Sequence, residues 1–188
     1  MLSFKKELAL NELNLIKLFL KKRDSKAYLE AHSLLIDQVL NKLWQKLEFK
    51  DVASLIACGG YGRQELFPFS DVDLLILIPK KVNHSLNQKI EQFITLAWDL
   101  GLRIGHSVRN LDETKREIKR DITIHTNLLE SRYLDGDKTL YKHLKIIIHD
   151  SINPTQFYEA KLKEQDHRHL KYNQSAYQLE PNLSLIHI

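Results

Sequence analysis

Cys58-Gly59-Gly60-Tyr61-Gly62-Arg63, and then Ser70-Asp71-Val72-Asp73-Leu74-Leu75-Ile76-Leu77-Ile78, is the stretch that decides how this chain folds. A glycine turn leads to two aspartates spaced i, i+2, and an unbroken aliphatic run follows. In a strand, residues i and i+2 share a face. Asp71 and Asp73 therefore project side by side at the start of a buried strand, with Val72 turned away. Two carboxylates that close repel each other unless a cation sits between them. Mg²⁺ suits such a pair, because it takes a few carboxylate oxygens and completes its shell with substrate phosphates. Glycines lacking Cβ let backbone N–H groups approach phosphate. The residues together predict a site for a metal and a nucleoside triphosphate. In isolation an Asp-x-Asp pair is most often a turn or cap. Here the adjoining aliphatic run argues otherwise, since carboxylates at the rim of a buried strand cost stability.

Outward from this core, the 2–22 stretch carries Leu8, Leu10, Leu13, Ile16, Leu18 and Leu20 at near-helical spacing. A second helix is expected after Asp24 or Ser25, running to about Leu47, with Leu29, Leu35, Ile36, Val39, Leu40, Leu43 and Trp44 inward. Strands are expected over Val52 to Cys58, Val72 to Ile78 and Leu102 to Val108. Arg63 to Phe67 is expected as a short helical turn stopped by Pro68. Leu86 to Leu100 is expected to be helical, with Ile90, Phe93, Ile94, Ala97 and Trp98 on its inner face. Asp112 to Arg120 predicts a polar helix. Asp121 to Tyr133 fits either a helix or a helix followed by a strand. Leu140 to His149 and Thr155 to about Tyr172 are expected to be helical. Two helices, then strand-turn-strand-helix-strand, then more helices, describe an α+β protein with a small mixed sheet and flanking helices. The boundaries expected are 1–48 for an N-terminal helical segment, 49–150 for the core, 151–182 for a C-terminal helical segment and 183–188 for a tail.

Composition narrows the classes. The 188 residues fit one domain with a helical appendage. With 28 basic and 24 acidic residues the formal charge is +4. That excess suits a nucleotide or an acidic surface, as do solvated lysine-rich helices, and demands no nucleic acid. The lone cysteine, Cys58, excludes an internal disulfide and fits a reducing compartment. No apolar run approaches the roughly 20 residues of a membrane span. The start of the chain has no signal-peptide pattern, so a cytoplasmic protein is the expectation.

The glycine cluster is not a Walker loop, because no Gly-Lys-Ser/Thr follows it, and its spacing is not that of a dinucleotide fingerprint. Arg63 is placed either to hold phosphate or to pair with Glu65 or Asp71. Ser70 either binds phosphate or caps the turn. His106 and Arg109, on opposite faces of the third strand, serve either the nucleotide or the structure. Asp166-His167-Arg168-His169 lacks the order and companion blocks of a phosphohydrolase metal motif and fits a basic helix face. Trp44, Trp98 and most other aromatics fall on apolar helical faces and are expected in the core.

The run from Gly59 through Ser70-Asp71-Val72-Asp73-Leu74-Leu75 closely resembles the nucleotidyltransferase segment of the bacterial PII-protein uridylyltransferase/uridylyl-removing enzymes. Further blocks match in order. They are Trp98-Asp99-Leu100-Gly101 through Gly105-His106-Ser107-Val108-Arg109, then Leu128-Leu129-Glu130-Ser131-Arg132 with Gly136-Asp137. His167-Arg168-His169 and Leu179-Glu180-Pro181-Asn182 resemble the segment that closes that family's catalytic domain. The resemblance implies a polymerase-β-like nucleotidyltransferase fold that moves UMP from UTP to a tyrosine hydroxyl of PII and releases pyrophosphate. It implies Asp71 and Asp73 as Mg²⁺ ligands and catalytic residues, and Gly59, Gly60 and Gly62, with Arg63 and Ser70, as the nucleotide-binding set. Glu130 is the candidate third carboxylate, with pairing to Arg132 as the alternative; Asp112 and Asp121 are weaker substitutes. Gln64 stands where the family usually has glycine, and Phe67 and Phe69 replace more polar or tyrosine positions. Residues 183–188 depart from the family pattern. The expectation is therefore a truncated transferase module without the uridylyl-removing hydrolase domain or the sensing domains. The alternatives are a related protein or small-molecule adenylyltransferase and a catalytically inactive nucleotide-sensing module.

Overall fold

The computed structural model of the chain describes residues 2–151 and 153–171. Two apolar helices come first, α1 (Leu2–Lys22) and α2 (Ser25–Lys46), the second capped by Asp24, whose carboxylate accepts from the Ala27 amide. After a single 3₁₀ turn come β1 (Ser54–Ala57), the one-turn α3 (Gly59–Gly62), β2 (Val72–Leu77), α4 (His84–Asp99) and β3 (Ile104–Arg109). The order then continues with α5 (Leu111–Arg120), α6 (Ile122–Leu129), β4 (Arg132–Gly136), α7 (Lys138–Asp150) and α8 (Pro154–Lys171). The chain divides into two compact units between Asp150 and Ser151. Leu179-Glu180-Pro181-Asn182 and the 183–188 tail lie outside the described residues.

The sheet has the order β3-β2-β1-β4 and is mixed. β1 pairs antiparallel with both β2 and β4, and β2 pairs parallel with β3 through the α4 crossover. The two central strands are nearly continuous in apolar residues because both faces are covered. On one face Leu55, Ala57, Val72, Leu74 and Ile76 pack against α2 and α4, with Trp44, Phe49 and Phe93 stacked among them. On the other face Ile56, Leu75 and Leu77 pack against Ile118 of α5, Leu128 of α6, and Leu144 and Ile148 of α7. Residues 73, 75 and 77 share this second face, so strand alternation alone turns Asp73 toward α5, α6 and α7.

Three details differ from the sequence expectations, and one open alternative closes. The short helical turn is at Gly59–Gly62, not at Arg63 to Phe67. It closes with Gly62 N–H donating to the Cys58 carbonyl at 2.9 Å and Arg63 N–H to the Gly59 carbonyl at 3.1 Å. Gln64 then takes a left-handed φ of 64°, which ends the helix before Pro68 can. Trp98 is 53% exposed rather than in the core; its indole meets the His106 ring edge-on. Among the described side chains of α1 only Leu8 is buried, while Leu10, Leu13, Ile16, Leu18 and Leu20 face out. The undecided 121–133 stretch resolves into α6 followed by β4, the edge strand.

Candidate active site

Asp73 is the second residue of β2, and its register partner on β3 is Gly105. A Cβ on Gly105 would come within 2.6 Å of Asp73 Oδ1, and one on Gly59 would lie 3.4 Å from Asp73 Oδ2. The carboxylate thus lies between two glycines, one on the neighbouring strand and one in the turn after β1. Gly59 has φ of +56°, a conformation that penalises any other residue. The turn is tied to the strand by the Cys58 N–H, which donates to the Asp73 carbonyl at 2.9 Å. Local sequence explains this placement. β1 runs out of apolar residues at Cys58, the glycines reverse the chain, and β2 returns antiparallel beside it.

Asp71 is exposed and precedes the strand, whereas Asp73 is half-buried. Burial, and then the negative charge of Asp71, push the Asp73 carboxyl above its ordinary pKa. The two acids therefore sense each other across the strand end, as their i, i+2 spacing requires. A half-buried carboxylate beside a second one has a standing demand for positive charge. The two can serve as the protein's share of a Mg²⁺ shell completed by phosphates. Among the described residues, no group of three or more His, Cys, Asp or Glu side chains is placed to hold a metal.

Glu130 follows α6 and is bonded to Arg63, whose Nε also donates to Glu65 Oε2 at 2.7 Å. It does not pair with Arg132, and it does not join Asp71 and Asp73 in a carboxylate trio. The weaker substitutes are also engaged. Asp112 holds Lys80 at 2.9 Å, and that bond and charge lower its pKa; Asp121 caps α6 through the Thr123 amide. Gly60 is the open member of the turn: a Cβ there would meet nothing nearer than the Glu65 carbonyl at 3.5 Å. Gly62 faces inward instead, where a Cβ would overlap the Glu130 carbonyl. Ser70 is exposed in the loop before Asp71, its amide donating to the Phe67 carbonyl at 3.2 Å. His106 turns to the α4 face of the sheet, away from Asp73, while Ser107 and Arg109 share the Asp73 face.

Three site residues escape a sequence reading. Asn127 of α6 is exposed, and its Oδ1 would lie 3.2 Å from a Cβ on Gly59, beside Asp73 Oδ2. Asp37 of α2 and Arg132 of β4, both remote in sequence, meet behind the turn: Arg132 Nη1 donates to Asp37 Oδ2 at 2.7 Å. No spacing pattern signals either contact. Cys58 is buried, and burial, then the Asp73 charge, raise its thiol pKa to about 12, so it stays a neutral wall of the site.

The sequence pattern of the family described as nucleotidyltransferase domain matches residues 40–184. The chain belongs to that family. The α+β, polymerase-β-like class expected of it agrees with the four-stranded mixed sheet and its helical layers. Among curated relatives, this chain is 48% identical over 151 residues to the bifunctional uridylyltransferase/uridylyl-removing enzyme of Aliivibrio fischeri, covering 78% of this chain and 17% of that protein. It is 46% identical over 161 residues to the enzyme of the same name from Chromobacterium violaceum, covering 86% of this chain and 19% of that protein. The chain thus spans less than a fifth of the length of these relatives. A crystal structure of a toxin-antitoxin with AMP-PNP aligns with 70% of this chain and 95% of that one, at 14% identity and a TM-score of 0.41.

Proposed function

We propose that this nucleotidyltransferase transfers UMP from UTP to a tyrosine hydroxyl of a PII signal protein in the cytoplasm, with Mg²⁺ as cofactor. The observation that carries the reading is the Asp73 carboxylate lying between Gly59 and Gly105 with Asp71 beside it. The uridylyl specificity and the PII acceptor are inferred from the names of the relatives and from the motif resemblance.

In this reading Asp71 and Asp73 would hold Mg²⁺, which would supply neutralisation of triphosphate charge. Gly59 and Gly60 let the backbone approach the phosphates, because no side chain stands between. Arg63, braced by Glu65 and Glu130, adds a fixed positive charge near Gly60. The phenolic oxygen attacks the α-phosphorus in line, its proton passing to water. The bond from that phosphorus to the bridging oxygen breaks, and pyrophosphate leaves. Transfer of this kind depends on alignment and charge neutralisation more than on covalent assistance from the protein.

The test is transfer of radiolabel from α-labelled UTP to purified PII, with Asp71→Asn and Asp73→Asn variants alongside. Label should appear on PII with the wild type and be lost with both variants while their folds persist. Retained transfer in either variant overturns the assigned roles. Labelling by ATP in preference to UTP would favour adenylyl transfer. Nucleotide binding without pyrophosphate release on any acceptor would favour a sensing module.

A further inference from the structure

We propose that Asp37, Tyr61 and Arg132 form a buried clamp that sets the glycine turn at the geometry nucleotide binding needs. Helix α2 is then part of the nucleotide site although it touches no ligand. The inference rests on the nucleotidyl-transfer reading above and deepens it.

The Tyr61 hydroxyl donates to Asp37 Oδ1 at 2.5 Å. Arg132 grips the same carboxylate with both terminal nitrogens, at 2.7 and 3.0 Å. Two further donors go to the turn itself: Nε to the Gly62 carbonyl at 3.2 Å and Nη2 to the Tyr61 carbonyl at 3.3 Å. A one-turn helix leaves its last carbonyls short of partners; here the arginine supplies the Gly62 carbonyl and adds a second donor to the Tyr61 carbonyl, which also accepts from the Gln64 N–H at 3.1 Å. The guanidinium also lies 5.5 Å from the centre of the Tyr61 ring.

Asp37 is 7% exposed and Tyr61 2%, so the carboxylate and hydroxyl are withdrawn from water, while the Arg132 side chain is partly covered. Burial, then the charge and bond of Asp37, hold the Tyr61 hydroxyl well above its ordinary pKa, which keeps it a donor. Burial works against the Arg132 charge, but the bond and charge of Asp37 outweigh it. A buried ion pair of this kind is a poor device for stability alone, since apolar residues of equal volume often serve as well. Its strength is directional. The forked geometry fixes orientation as well as distance, and here it orients the inner end of a turn whose other end, Gly59, lies against the Asp73 carboxylate.

Asp37, Tyr61 and Arg132 are therefore positioning residues. Misalignment of a reacting group by about 1 Å can cost roughly 100-fold in rate. Tyr61→Phe removes one bond and keeps the ring. Asp37→Asn keeps the shape and removes the charge. Both go into the full chain, with Leu86→Ala, in the core at the start of α4 on the face of the sheet opposite Asp73, as a control for lost stability. Mg-UTP affinity by calorimetry and single-turnover transfer to PII are measured well below each melting temperature. Tyr61→Phe and Asp37→Asn should each lose roughly tenfold in affinity or rate, the double variant losing little more than the worse single, while Leu86→Ala keeps wild-type values. Should Asp37→Asn not fold, Tyr61→Phe decides alone. Wild-type affinity and rate in Tyr61→Phe overturn the clamp while leaving the transferase reading intact. A wild-type chain that neither binds Mg-UTP nor transfers label overturns both.

Discussion

Gly105 and Asp73 stand opposite each other across the parallel β2–β3 pair, and a methyl group on Gly105 would come within 2.6 Å of Asp73 Oδ1. The obstacle is the end of a side chain rather than backbone, so the fold can absorb an alanine by moving the carboxylate. Gly105→Ala should therefore fold with a melting temperature close to wild type and lose on the order of 100-fold in transfer rate, the cost of about 1 Å of misplacement. Thermal denaturation run beside the labelled-UTP assay separates the two effects. Full activity in Gly105→Ala would show that the position of Asp73 does not matter.

Asp73 carries a raised pKa, so its charge is a burden on the empty protein. Below its ordinary value of 3.8 both folded and unfolded chains hold the proton and no cost arises. As pH rises through that value the unfolded chain ionises first, and the penalty is complete once the folded carboxyl has also ionised. Asp73→Asn should accordingly be more stable than wild type at pH 7 without nucleotide, and the advantage should vanish in acid. Chemical denaturation at several pH values measures it. A variant less stable than wild type at neutral pH would contradict the electrostatic account.

The glycines of the turn should respond in opposite ways. Alanine at Gly62 would overlap the Glu130 backbone, and overpacking of this kind costs about 1–3 kcal/mol. Alanine at Gly60 meets nothing nearer than 3.5 Å and should leave the denaturation midpoint near wild type. A loss of Mg-UTP affinity in Gly60→Ala would then come from crowding the ligand. Equal destabilisation by both substitutions would mean the turn packs otherwise.

Arg63 and Glu130 are only partly covered, with side chains 43% and 31% exposed. Exposed ion pairs contribute about 0.2–1 kcal/mol, so Arg63→Met and Glu130→Gln should each leave the fold nearly as stable as wild type. If Glu130 acts by bracing Arg63, the two substitutions should impair transfer to a similar extent and combine without adding. A much larger loss for Glu130→Gln than for Arg63→Met would instead assign the carboxylate a direct part in the chemistry. A double-mutant cycle on rate measures this.

Cys58 offers a test of burial. Its folded pKa is about 12 against an ordinary 9.0. The thiol favours the fold below pH 9 in full, and that support drains away as pH climbs from there toward 12. Native protein should resist iodoacetamide at pH 8, and unfolded protein should react. Rapid alkylation of the folded chain would place the thiol at the surface.

Much of this was legible because strands obey a strict alternation. Asp71, Val72, Asp73 and the aliphatic run fix both the strand and which way the acids point. The amphipathic pattern of α4 gives Ile90, Phe93, Ile94 and Ala97 correctly, all of them buried. Trp98 fails because its neighbour Ala97 already occupies the inward position, leaving the indole to cover His106 at the sheet rim. The edge strand β4 is short and only partly covered, so its alternation is weak, and its pairing with β1 shifts register between Leu55 and Ile56. Asp37 resembles any polar residue on an amphipathic helix. Its counter-ion lies 95 positions away, and no local pattern reports a contact made only by the folded chain.

The matched family segment begins at residue 40, three positions beyond Asp37. A shortened version cloned from that point would keep both aspartates, the glycines and the whole sheet, yet leave the half-covered Arg132 guanidinium without the carboxylate it grips. Such a truncate, soluble or not, would be a poor proxy for the enzyme, and inactivity in it would say more about where the scissors fell than about the chemistry.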